Sequence, residues 1–136
     1  MVELKAPDNE AIVDFKRKMK PLSEAQIQRQ IMDYLNANPK VFAWRQNTGG
    51  VPLHDGSGGF RPAPFKGVSD IIGVMKPAGQ VLAIEVKSQS GKLNAEQSHF
   101  LDSVRRAGGV AIVATSVDDV ERVFNGSYTG KAVIPY

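Results

Sequence analysis

The sequence predicts an α/β domain in which a small mixed sheet is flanked by helices, in the order αβββαβα. Three observations carry this. Two segments open with an N-capping residue followed three positions on by Gln, and each then runs with apolar residues at helical spacing. Two runs of β-formers are separated by a Pro/Gly turn, which makes an antiparallel hairpin. A short apolar run then follows a helix, so it returns parallel to the hairpin through a right-handed crossover.

In chain order, residues 1–22 are polar and of mixed charge, with a basic run from Phe15 to Lys20. They read as a loosely ordered arm with at most a short helical turn; it is either a solvated tail or a nucleic-acid contact. Ser23-Glu-Ala-Gln26 has the form of a capping box, and Ile27, Ile31, Tyr34 and Leu35 follow on one stripe. A helix is expected over 23–36, stopped by Asn36, Asn38 and Pro39. Residues 41–47 are rich in β-formers and read as a strand. Thr48 to Gly67 is crowded with Gly, Pro and Ser and reads as a long loop of the kind that often carries function.

Strands are expected over 70–75 and 81–87, joined by a turn at 76–80. Asn94-Ala-Glu-Gln97 opens a second helix with Phe100, Leu101, Val104 and Ala107 inward, ended by Gly108-Gly109. Val110 to Ala114 is a strand buried on both faces. Ser116 caps a last helix with Val117, Val120, Val123 and Phe124 inward. The tail 127–136 is open between an irregular end and an edge strand at 132–136. The domain division is thus an arm over 1–21, a folded unit over 22–126 and the tail.

Composition narrows the function. The chain has 136 residues, enough for one core, and no cysteine, so disulfides, thiol nucleophiles and Cys-held zinc are excluded. No apolar run is long enough to span a bilayer and no secretory h-region opens the chain, so a cytoplasmic location is expected. A net charge of +3 tilts only weakly toward a polyanionic partner. With only His54 and His99 available, any metal is expected on carboxylates, which favours Mg²⁺ or Mn²⁺.

The chemistry concentrates on the hairpin. Strand alternation puts Val81, Ala83, Glu85 and Lys87 on one face. A five-residue loop at 76–80 pairs Met75 with Val81 and sets Asp70 nearly opposite Val86; a one-residue shift sets it directly opposite Glu85. Opposed carboxylates repel unless a cation lies between them. The plainer alternative is a surface salt bridge at the hairpin's end. Glu24 stands three residues before Ile27 and so is placed on the inward stripe, with favourable N-terminal helix charge as the other reading. Gln97 likewise precedes Phe100 and Leu101, with a capping box as the other role. Arg45, Arg61, Lys66 and Lys92, and less directly Arg105 and Arg106, are candidate phosphate contacts. Phe60 and Phe65 are candidate wedges at a branch point, and the two histidines are assigned no chemistry.

Gly67-Val-Ser-Asp70 followed by Glu85-Val-Lys87 resembles the PD-(D/E)xK nuclease signature, with Ser69 standing where proline is frequent. With Ser23-Glu-Ala-Gln26 and Asn94-x-x-Gln97-x-x-Phe100 added, residues 22–125 resemble the virus-type replication-repair nuclease (VRR-NUC) domain. The resemblance implies a restriction-endonuclease-like fold. It also implies Mg²⁺ or Mn²⁺ on Asp70, Glu85 and the Val86 carbonyl, with Glu24 completing or supporting the site. Lys87 would orient or deprotonate the attacking water or stabilise phosphorane-like charge, and Gln97 would help place Lys87 or the water. Stand-alone members resemble Holliday-junction resolvases and tend to be homodimers, so a structure-selective endonuclease acting on branched DNA is expected, from a phage or bacterial source. The competing expectations are a non-catalytic nucleic-acid-binding module of the same fold, and a PD-(D/E)xK nuclease of restriction-like or flap-specific type.

Overall fold

A computed structural model describes residues 8–46, 51–61, 66–126 and 128. The side chains of residues 16–18, 51–52 and 60–61 are not described. Helix α1 spans Asn9–Lys18. Ser23 caps helix α2, Glu24–Ala37, through its hydroxyl to the Gln26 N–H, and the Gln26 side chain returns to the Ser23 N–H, as the sequence predicts. The same reciprocal box, Asn94 with Gln97, opens α3, Ala95–Arg106. Helix α4, Val117–Phe124, has Ser116 at its N-cap position without a side-chain cap bond; Asp119 instead accepts from the Thr115 N–H.

The main sheet contains β1 (Val41–Arg45), β4 (Ile71–Met75), β5 (Gln80–Val86) and β6 (Val110–Ala114), in the order β1-β4-β5-β6. The first two pairings are antiparallel and β5 with β6 is parallel. Omitting α1 and a small hairpin, the order is the expected αβββαβα.

Alternation along the strands divides the core in two. Val41, Ile71, Leu82, Ile84, Val86, Val110, Ile112 and Ala114 face α2 and α4, where Ile27, Ile31, Leu35 and Val120 complete the larger cluster. Ala83 and Ala111 face the other way and pack under Leu101 of α3, with Ile72, Leu93, Phe100, Val104 and Val113 around them. Helix α3 thus covers the β5–β6 half of its face. Among the described residues the β1 edge of that face lies bare, with Phe42 and Trp44 exposed, and Val81 at the start of β5 is exposed as well.

Three expectations need correction. The ten-residue α1 forms where at most a short turn was expected. Its exposed apolar residues Ile12, Val13 and Phe15 meet no core, and among the described residues α1 packs against no other helix or strand. The segment read as a plain loop contains a two-stranded hairpin, β2 (Val51–Pro52) with β3 (Phe60–Arg61), closed by a Gly-rich turn. The main hairpin turns in four residues, Lys76 to Gly79, not five, so Met75 pairs with Gln80. The proposed edge strand at 132–136 lies outside the described residues. None of the described helices is long and apolar enough to cross a membrane.

Candidate active site

The four-residue turn fixes the register on which the site depends. With Ile71 opposite Ile84, the next step of the ladder sets Asp70 opposite Glu85, the shifted alternative of the two that the sequence allowed. Asp70 enters from the loop at the head of β4. Its main-chain carbonyl accepts from the Gln46 N–H at 2.7 Å, and its Oδ2 accepts from the Val86 N–H at 2.8 Å. The N–H and C=O of one strand residue leave the same edge, so the Val86 carbonyl faces the Asp70 side as well. The Val86 side chain lies in the larger core.

Glu85 is 2 % exposed, a buried carboxylate. Its Oε1 accepts from Gln97 Nε2 at 2.9 Å and lies 3.6 Å from the Lys87 ammonium. Its Oε2 is buried without a hydrogen-bond partner. Burial, and then the neighbouring Asp70 carboxylate, push the Glu85 pKa up to about 8, with Lys87 pulling the other way. A surface salt bridge would show neither the burial nor the orphaned oxygen, so the plainer reading of this hairpin end does not hold.

Gln97 fills both roles weighed for it. Its Oε1 accepts from the Asn94 N–H at 3.0 Å while its Nε2 reaches Glu85. The helix start that it caps is seated by Gly67. Gly67 has φ +79°, and a Cβ there would collide with the Glu96 backbone. The loop leading to Asp70 therefore lies directly on the first turn of α3, which positions Gln97.

Glu24 is placed differently from the expectation of an inward residue. As the first residue of α2 it overhangs the sheet, is exposed, and accepts from the Ser88 N–H at 3.3 Å. Its Oε1 and the Lys87 Cδ would both lie 3.2 Å from a Cβ on Gly91, so Glu24 flanks the Lys87 stem. Among the described residues no group of three or more Asp, Glu or His is placed to hold a metal ion, so the expected convergence of three carboxylates is not met. Two carboxylates, Asp70 and Glu85, come together.

The candidate phosphate contacts divide. Lys66 and Lys92 are exposed and precede the Asp70 loop and α3 respectively. Arg45 alternates onto the α2 side of the sheet, away from the carboxylates, and reaches Gln28 at 3.4 Å. Arg105 is tied to the Ala111 carbonyl and Arg106 to Asp102. The side chains of Arg61, Phe60 and Phe65 lie outside the described residues. Sequence reasoning passed over Gln46 and Trp44, which share the carboxylate face of β1; their alternation with Val41 and Ala43 is the signal that could have found them.

A mixed α/β sheet with helices on both faces, and an acidic pair beside a lysine at the open end of its hairpin, defines a protein of nuclease-type fold. Residues 63–118 match the VRR-NUC domain family. Two solved structures support the same fold. One, described as a VRR_NUC domain, is 16% identical with a TM-score of 0.54, over 79% of this chain and 100% of its own. Another, a VRR_NUC domain protein, is 18% identical with a TM-score of 0.52, over 83% of this chain and 93% of its own. No curated protein matches the sequence.

Proposed function

We propose that this chain is a metal-dependent, structure-selective endonuclease that hydrolyses phosphodiester bonds in branched DNA such as Holliday junctions, with residues 22–126 as the catalytic unit. One observation carries the reading: Asp70 and a buried Glu85 with an orphaned oxygen are opposed on adjacent strands, beside Lys87 and Gln97. Burying two like charges side by side is costly, and a divalent cation is the natural compensation.

The donor set fits that ion. Two carboxylates and a main-chain carbonyl are hard oxygen ligands of the kind Mg²⁺ and Mn²⁺ take. Asp70, Glu85 and the Val86 carbonyl would hold it, and Glu24 would support it from the rim. When bound, such an ion acidifies water and neutralises phosphate charge.

The chain's own residues supply the remainder. Gln97 fixes the Glu85 carboxylate by donating to Oε1. The Val86 N–H fixes Asp70 in the same way. Lys87, held between Glu85 and the Glu24–Gly91 rim, orients the attacking water and sets its ammonium against the charge that builds on the phosphorus oxygens. The positive end of α3 faces the same place and favours an anionic strand there. Exposed Lys66 and Lys92 flank that end and contact neighbouring phosphates.

The described residues of one chain hold one such site, and symmetric cutting of a four-way junction needs two, so the active species is a homodimer. The test is cleavage of a labelled four-way junction with Mg²⁺ or Mn²⁺ by wild type, Asp70→Ala and Lys87→Ala, with sedimentation alongside. Metal-dependent cutting by the wild type alone supports the assignment. Equal activity in all three sinks the residue roles, and a monomer at micromolar concentration points to a single-incision nuclease.

A further inference from the structure

Beside the carboxylate pair lies an aromatic surface that the proposed chemistry does not use. Phe42 and Trp44 are 55% and 42% exposed, on β1, the edge strand that pairs along its length with β4. Their rings stack on each other with centroids 6.0 Å apart and an interplanar angle of 28°. The Trp44 indole N–H donates to Gln46 Oε1 at 3.2 Å, which fixes the ring's orientation.

The position of this pair matters more than its exposure. Gln46 stands opposite Asp70 and donates its main-chain N–H to the Asp70 carbonyl. Trp44 stands opposite Ile72, two residues further on, so Trp44 and Asp70 are diagonal neighbours on one face. Diagonal neighbours on adjacent strands are separated by about 7–8 Å. Ala83, Glu85 and Lys87 project from that same face. Helix α3 covers its far half and leaves Phe42 and Trp44 bare on the near half. A flat, pre-oriented aromatic surface therefore continues directly from the site of hydrolysis.

We propose that Phe42 and Trp44 form a stacking platform for unpaired nucleobases of the DNA strand entering the Asp70–Glu85 site, so that substrates with single-stranded nucleotides beside the cleavage point are preferred. This rests on the nuclease reading of that site and narrows its substrate class. Paired bases present only their edges, whereas an unpaired base offers a whole face to an aromatic ring, whatever its sequence. A second copy of the chain is the competing occupant of such an apolar surface. The basic residues Lys66 and Lys92 at the same end of the sheet favour an anionic one.

Trp44 is the chain's one tryptophan, so its fluorescence reports on this surface alone. Wild type is titrated in EDTA with a short oligothymidylate and with a blunt duplex of equal length. The platform predicts saturable quenching by the single strand and little change with the duplex. By anisotropy of labelled single strand, Trp44→Ala binds roughly tenfold more weakly and Trp44→Phe retains most of the affinity. Unchanged affinity in Trp44→Ala overturns the proposal. So does Trp44 emission that ignores the single strand but follows protein concentration, with sedimentation showing a dimer. Quenching without cleavage in Mg²⁺ keeps the platform and sinks the nuclease reading; cleavage without quenching does the reverse.

Discussion

Replacing Glu85 by Gln separates the electrostatic cost of the site from its shape. The amide has nearly the same volume, its oxygen can still accept from Gln97, and its NH₂ can donate to Asp70, but it carries no charge. In wild type the Glu85 pKa is pushed from 4.5 up to about 8 by burial and by Asp70. A raised carboxylate pKa means that the folded chain holds a proton which the unfolded chain releases. The contribution to stability is full below pH 4.5 and is lost as pH rises toward 8. At pH 7 the folded chain bears a penalty of about 3 kcal/mol, because each pH unit between the ordinary carboxylate value and neutrality costs about 1.4 kcal/mol. For a chain of this length that is roughly 10 °C in Tm. In EDTA, Glu85→Gln is expected to melt higher than wild type at pH 7, with the difference vanishing near pH 4.5, as followed by circular dichroism. The same substitution is expected to abolish cleavage. Coincident melting of the two proteins across this range, or a lower Tm for the variant throughout, would refute the buried-carboxylate account.

The residues that support the site give three more expectations. Gln97→Glu keeps the α3 capping box but removes the donor to Glu85, so cleavage should fall about 10–100-fold with Tm lowered little at acidic pH. Gly67→Ala should cost more than about 1 kcal/mol, because the residue needs positive φ and Glu96 blocks a Cβ; chemical denaturation measures it. Ser69→Ala should be neutral or slightly stabilising in the same assay, since the Ser69 hydroxyl is buried without a hydrogen-bond partner.

Much of this was legible in the sequence, for local reasons. The caps at Ser23 and Asn94 and the apolar stripes behind them specify helices that need little tertiary context. Alternation alone placed Glu85 and Lys87 on one face. The register could be read only to within one residue, because four- and five-residue turns fit the same Pro/Gly segment equally well. Glu24 shows the limit of stripe reasoning: helical phase aims it at the core, but its height along α2 carries it past the sheet to Ser88. Arg45 and Trp44 are adjacent residues with opposite fates, since pairing of β1 on β4 decides which of them shares the Asp70 face. Helix α1 escaped because its apolar positions find no partner in the fold, so periodicity without burial gave no reason to expect it.

The most direct measurement is calorimetric titration of Mn²⁺ into wild type, Asp70→Asn and Glu85→Gln at neutral pH. The account predicts saturable binding to wild type and its loss in both variants, each still folded. Equal binding by all three proteins, or none by wild type, would contradict it.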